Sequence, residues 1–172
     1  RGLYVDAEEV VEDNGDYFFD GNLVTRSFGK MGKSLKNSVT PDEMYDQFGA
    51  DTLRLYEMFM GPLDQDRPWE TKSVVGSQRL LQRIWRNIVN EENGELEISE
   101  AAASLALRQL LHKTIQAVRE DMDNLRFNTA IARITELNNE ITKLAEPTPR
   151  EIAEPLVHLL SPLAPHIAEE LW

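Results

Sequence analysis

Cysteine is absent from the 172 residues, which removes both a disulfide framework and thiolate zinc sites. A reducing, cytoplasmic setting is the expectation that goes with this. No apolar run approaches the ~20 residues that span a bilayer. The first residues lack the charged-then-apolar pattern of a signal peptide. Histidine is scarce, and the three present (His112, His158, His166) are too scattered to suggest a metal site. His158 and His166 lie among Leu and Pro and are expected to be packed. Internal repeats and low-complexity segments are also missing. The chain opens on Arg1 rather than a methionine and stops at Trp172 inside the helical run PHIAEELW. It is therefore expected to be a piece of a longer protein.

A different shortage is local. The net charge is -12, which ordinarily discourages a nucleic-acid partner. Yet Asp and Glu are absent from residues 21–41, 71–90 and 101–119. Those tracts hold eleven of the eighteen basic residues: Arg26, Lys30, Lys33 and Lys36, then Lys72, Arg79, Arg83 and Arg86, then Arg108, Lys113 and Arg119. Acid-free surfaces of this kind suit a polyanion, although chance segregation is the plain alternative.

What is present reads as strands, then helices. An apolar content of 41% is ordinary for a folded domain, and the length allows one good core. The first forty residues carry short β-rich runs broken at Asn14-Gly15 and Asp20-Gly21-Asn22. Asn-Gly between strand residues is a hairpin signal. The run is too short for a complete sheet domain and is expected to be the edge of one. Thr40-Pro41-Asp42-Glu43 is a capping box with proline at the first helical position. The helix it opens should stop at Gly49, and Asp51 should cap a second one ending at Gly61-Pro62. A proline-bearing loop covers residues 61–70.

Three long helices are expected over about 72–90, 99–124 and 127–144. Leu107, Leu111, Ile115, Val118 and Met122 recur at steps of three and four, as do Phe127, Ile131, Ile134, Leu137, Ile141 and Leu144. These stripes are core positions and carry no chemistry. Thr148-Pro149-Arg150-Glu151 reads as a second capping box. Pro155 should kink or shorten the helix that follows, and Ala164-Pro165 should start another. Amphipathic helices joined by short loops imply a bundle. The fold class is thus mostly α, a helical bundle preceded by a short β-containing edge.

On the first long helix, Lys72, Arg79, Arg83 and Arg86 fall within about 60° of one another at ~100° per residue. Val74, Leu81, Ile84, Trp85 and Ile88 take the opposite side, so Trp85 reads as core. No carboxylate is interleaved, and arginine suits phosphate. Arg108, His112 and Arg119 flank the stripe of the second long helix. Two adjacent basic flanks would make a groove for a nucleic-acid backbone, with phosphate contact and no base reading. A solvated helix face, or a face for an acidic protein, is the competing interpretation.

The stretch SFGKMGKSLKN places Lys30 and Lys33 on a glycine-flanked loop, with Ser34 beside them. Such a loop can turn backbone N–H groups and ammonium groups toward an anion. The spacing is not that of a P-loop.

Here the chain resembles a known family. KMGKS followed by LKNSVTPDEMYDQFGADTLRLY is similar to the KMSKS region of class I aminoacyl-tRNA synthetases. MFMGPLDQDRPWE, LQRIWRN, RFNTAIA and SPLAPHIAEELW extend the match, in order, to the leucyl-tRNA synthetase family; isoleucyl and valyl relatives share several of these segments. The resemblance implies three segments: residues 1–40 as the end of the catalytic domain with its lysine loop, 41–70 as a stem-contact-like segment, and 71–172 as the helical anticodon-binding domain. It implies that Lys30, Met31, Gly32, Lys33 and Ser34 meet ATP. Lys30 and Lys33 would be the catalytic pair, stabilising charge on the phosphates as leucine attacks and pyrophosphate leaves.

Gly32 replaces the motif's first serine, removing a hydroxyl and adding backbone freedom. Lys36 lies outside the motif. Lys72, Arg79, Arg83, Arg86, Arg108 and Arg119 would hold the body of tRNA(Leu). Mg²⁺ is expected with ATP in the intact enzyme, no metal ligand is assigned in this chain, and a monomer is expected. No H-x-G-H element is present, so the chain alone is expected to be inactive. A non-catalytic RNA-binding module is the alternative.

Overall fold

A computed structural model describes residues 4–172, so the opening of the first implied segment, residues 1–3, lies outside the described residues. The chain divides into two compact units, Arg1–Asp46 and Gln47–Trp172.

In the first unit, β1 (Val11–Asp13), β2 (Asp16–Phe19) and β3 (Asn22–Val24) form an antiparallel meander in the order β1-β2-β3. Val11 faces Phe18, and Tyr17 faces Val24. Asn14-Gly15 and Asp20-Gly21 make the two connections, each with positive φ at both residues. That backbone belongs to the tight hairpin turn whose twist matches the strands, and Gly at its second position avoids a Cβ clash. After the lysine loop comes α1 (Pro41–Phe48). The Thr40 hydroxyl accepts from the Glu43 N–H at 3.3 Å, and the Glu43 carboxylate accepts from the Thr40 N–H at 3.2 Å. This is the reciprocal capping box that the sequence predicts.

The second unit is a bundle of α2 (Ala50–Phe59), α3 (Thr71–Arg86), α4 (Leu105–Asp123), α5 (Phe127–Ile141), α6 (Arg150–Leu160) and α7 (Pro165–Leu171). α5 packs against α2, α3, α4 and α6. Its Ala130, Ile131, Ile134, Leu137, Asn138 and Ile141 are all buried. The α4 stripe supplies Leu107, Leu111 and Val118 to the same core, with Ile115 and Met122 partly covered.

Several expectations are corrected, two of them because side chains expected to cap their own helix serve distant segments. Asp51 does not cap α2. Gly49, at φ 83°, occupies that position. The buried Asp51 carboxylate instead accepts from the Ile167 N–H at 2.7 Å and the His166 N–H at 3.4 Å, capping α7 across the bundle. Thr148 and Glu151 do not form a capping box, because Pro149 is the N-cap of α6 and makes no side-chain bond. Thr148 donates to the Asn87 carbonyl at 2.5 Å, and Glu151 accepts from the Ala103 N–H at 2.6 Å.

Helix limits shift too: α5 ends at Ile141, so Leu144, expected in its core stripe, lies beyond the helix and is exposed. The first long helix ends at Arg86, where Asn87 turns its amide to Asn138 (2.8 Å) and Thr142 (3.0 Å). The second begins at Leu105 behind a Ser104 cap, while Ile98–Ser99 (β4) pairs in parallel with Thr148–Pro149 (β5). α6 passes through Pro155 and is not shortened there. The ring supplies no N–H to the Glu151 carbonyl, so the helix forgoes one i to i−4 bond there and continues. Neither His158 nor His166 is packed in the core; both are exposed. His158 lies against the Trp172 ring, and His166 Nδ1 sits 2.8 Å from Asp51.

Asp51→Ala removes the cap of α7 from a buried position and should lower the unfolding free energy by about 1–2 kcal/mol. Urea unfolding of the chain, followed by circular dichroism, checks this. Asp51→Asn should recover part of the loss.

Candidate functional site

The lysine loop is an internally bonded bracket. Lys33–Leu35 forms one 3₁₀ turn, closed by the Leu35 N–H on the Gly32 carbonyl (3.0 Å) and the Lys36 N–H on the Lys33 carbonyl (3.2 Å). Lys36 sits in the left-handed region at φ 51° and ends the turn. Asn37 then reaches back. Its Oδ1 accepts from the Gly32 N–H at 2.8 Å, and its Nδ2 donates to the Lys30 carbonyl at 3.4 Å. One side chain thus ties both ends of the Lys30–Gly32 segment. Lys30, Lys33 and Ser34 are exposed on the bracket, and no described carboxylate pairs with either lysine.

Gly32 is extended at φ -173°, a conformation open to any residue, and a Cβ built there meets nothing within 4 Å. The freedom that glycine brings is therefore not used in this conformation. A serine fits the same backbone.

α3 carries the first helical set. Its start is held by Tyr56, whose hydroxyl donates to the Glu70 carbonyl (3.0 Å) and accepts from the Glu70 N–H (3.2 Å). The Glu70 side chain caps the helix at the Lys72 N–H (3.3 Å). Val74, Leu80, Leu81 and Ile84 are buried, and Trp85 packs partly against the core. This burial turns the basic face outward. Gly76, Arg79, Gln82, Arg83 and Arg86 line one open depression on that face. Lys72 and Arg79 are exposed.

Arg83 and Arg86 are less free. Arg83 is half-buried, donates to Asn139 at 3.2 Å, and keeps a buried Nε with no partner. Arg86 donates to the Gln82 carbonyl at 3.2 Å and lies 3.8 Å from Glu91.

On α4, Leu105, Arg108, Gln109, His112 and Lys113 line a second depression. Arg108 and Arg119 are both exposed. The basic flanks of the two helices line two separate depressions. Each depression is lined by its own helix, and α5 packs against both α3 and α4.

Charge pairing separates the basic residues into two classes. Arg126, Arg133, Lys143 and Arg150, outside the acid-free tracts, are bridged to Asp121, Glu136, Glu140, and Glu100 with Glu154. Donating to the Glu100 and Glu154 carboxylates holds the Arg150 guanidinium above its ordinary range. Inside the tracts, Arg86 makes a long contact with the Glu91 carboxylate. Arg26 is engaged differently, with the Tyr17 hydroxyl at 3.3 Å and the Tyr17 and Phe28 rings. Unpaired cations on an outward face leave charge available for a polyanion.

Two residues of these sites escape the motif reading. Asn37 lies beyond the five motif positions and has no local signature. Gly76 did carry a signal, as a lone glycine inside an amphipathic helix.

A family model described as the anticodon-binding domain of tRNA ligase matches residues 105–172. The leucine–tRNA ligase of Saccharopolyspora erythraea is 60% identical over 174 aligned residues, covering 100% of this chain and 18% of the relative. That of Streptomyces avermitilis is 59% identical, again over 100% of the chain and 18% of the relative. The chain thus spans about a fifth of the length of the curated relatives it matches. Among solved structures it resembles the ternary complex of Agrobacterium radiobacter K84 agnB2 LeuRS, tRNA and LeuAMS. The TM-score is 0.68 at 28% identity, over 83% of this chain and 20% of that one.

Asn37→Ala should release the bracket, so that the Gly32 amide exchanges its hydrogen faster by roughly tenfold, one hydrogen bond's net worth. Amide exchange read by NMR checks it, with the amides of α5 as an unchanged reference.

Proposed function

We infer that this chain is a segment of a leucine–tRNA ligase, since its sequence falls within that family from end to end. Its fold is mostly α, with an anticodon-binding domain match over residues 105–172. The carrying observation is that the 60% identity is reached over an alignment that covers the whole chain, lysine loop and helical bundle included. The relatives reported above are leucine enzymes, which favours leucine over isoleucine or valine.

In the intact enzyme the segment would serve ATP-dependent activation of leucine and its transfer to tRNA(Leu). Residues 1–40 would form the edge of the catalytic domain, 41–70 the stem-contact segment, and 71–172 the tRNA-binding bundle. Lys30 and Lys33 would place positive charge against the ATP phosphates. Electrostatic stabilisation of this type acts where charge develops as pyrophosphate leaves. Met31 and Ser34 would complete the contact through backbone N–H groups and the Ser34 hydroxyl, while Gly32, its own N–H held by Asn37, would line the loop without a side chain in the way. The Asn37 bracket supports this role by presenting the segment already folded, which lowers the ordering cost on binding.

No cluster of three or more His, Cys, Asp or Glu side chains among the described residues is arranged to hold a metal ion. Mg²⁺ would accompany ATP in the intact enzyme.

Lys72, Arg79, Arg83, Arg86, Arg108 and Arg119 would meet tRNA phosphates. Arg83 and Arg86, already tethered, would act from fixed positions; Lys72, Arg79, Arg108 and Arg119 would adapt. Nothing in this set reads a base edge, so these contacts would position the tRNA body. A monomer in the cytoplasm belongs to the same proposal. No helix among the described residues is long and apolar enough to cross a membrane.

Lys33→Ala in the full-length enzyme should cut leucine-dependent pyrophosphate exchange by about 10²-fold. Unaltered exchange would remove the lysine's role. For the bundle, Arg79→Ala in this chain should weaken tRNA(Leu) binding and reduce the log–log salt slope by about one. An unchanged affinity and slope would take α3 out of the interface.

A further inference from the structure

Among the described residues, Gly76 is the one glycine inside a helix. Glycine is the least favourable interior helix residue after proline, so its presence calls for a reason. The usual structural reasons are missing. Gly15, Gly21, Gly49 and Gly94 have positive φ, which favours glycine; Gly76 has no such backbone. Close packing of another helix is also excluded, because Gly76 is exposed and a Cβ built on it meets nothing within 4 Å. Alanine would fit the site and favour the helix.

Its neighbours supply the reason. Gly76 lines the same depression as Arg79, Gln82, Arg83 and Arg86. Lys72 lies four residues before it on the same face, and Arg79 and Arg83 lie three and seven residues after it. Cations therefore bracket a patch of bare helix backbone. The missing side chain leaves room at the middle of the basic face, and a residue without a Cβ is what close backbone approach by a ligand requires.

We propose that Gly76 is the point on α3 where the tRNA sugar–phosphate backbone comes closest to the helix, seated between Lys72 on one side and Arg79 and Arg83 on the other. This rests on the reading of α3 as a tRNA-binding face and adds its steric element. The cations attract the strand, and the gap decides how near it sits. Short contact matters because charge–phosphate energy grows as separation falls and water is displaced.

The test sets charge against space. In this chain, Gly76→Lys adds a cation to the basic face and fills the gap. Close approach predicts that tRNA(Leu) binding weakens by roughly tenfold in Kd despite the added charge. Gly76→Ala should weaken binding less, while raising the thermal midpoint of the chain, since alanine favours the helix. A Gly76→Lys variant that binds as tightly as the parent, or tighter with a steeper salt slope, overturns the proposal. A lowered midpoint for Gly76→Ala also overturns it, because glycine would then be a structural need. Arg79→Ala, measured in parallel, separates the two levels. If Arg79→Ala weakens binding while Gly76→Lys does not, only the close approach fails. If Arg79→Ala leaves binding unchanged, the tRNA face itself fails, and the close approach with it.

Discussion

The burial of α5 among α2, α3, α4 and α6 is the constraint on which the second unit depends. A helix covered on several sides needs more than a narrow stripe, and α5 presents Ala130, Ile131, Ile134, Leu137, Asn138 and Ile141 to its neighbours. Asn138 is fully buried and takes a hydrogen bond from Asn87 just past the end of α3. Arg83 reaches the next residue, Asn139. These bonds and the apolar face of α3 set its rotation about its axis. Its basic side is outward because its apolar side has nowhere else to go. The candidate tRNA face is thus a consequence of core packing.

Several polar side chains of the bundle are satisfied by distant segments and not by their own helix. Helix ends leave N–H groups without partners, and burial makes the nearest carboxylate or hydroxyl valuable whatever its sequence position. Asp51 serves α7, and Glu151 serves the Ala103 amide. Thr148 takes the Asn87 carbonyl beside the short β4–β5 pairing. Each bond joins parts of the chain 48 or more residues apart. The exposed box of Thr40 and Glu43 keeps its local pairing. No buried donor competes for those two side chains, which are exposed.

Cations follow a similar division. Where carboxylates lie within reach, as for Arg126, Arg133, Lys143 and Arg150, the charges are paired. Where Asp and Glu are withheld, Lys30, Lys33, Lys72, Arg79, Arg108 and Arg119 stay exposed without an ion pair among the described residues. A chain with net charge -12 can therefore still offer positive surfaces, because local fields decide attraction at contact and salt screens the remainder.

Periodicity and turn chemistry in the sequence were enough for the hairpins at Asn14-Gly15 and Asp20-Gly21, the stripes of α4 and α5, the box at Thr40 and the basic face of α3. All of these depend on residues a few positions apart, and local sterics and helix geometry act over that range. The positions Lys30–Ser34 came from resemblance and not from periodicity, and their contact with ATP is a proposal. Tertiary structure alone decided the partners of Asp51, Thr148 and Glu151, the ends of α3 and α4, and the separation of the two basic depressions. It also decided the Asn37 bracket and the open space above Gly76. Those outcomes depend on which donors and surfaces meet after folding, and pairing between distant segments leaves no local pattern in the chain.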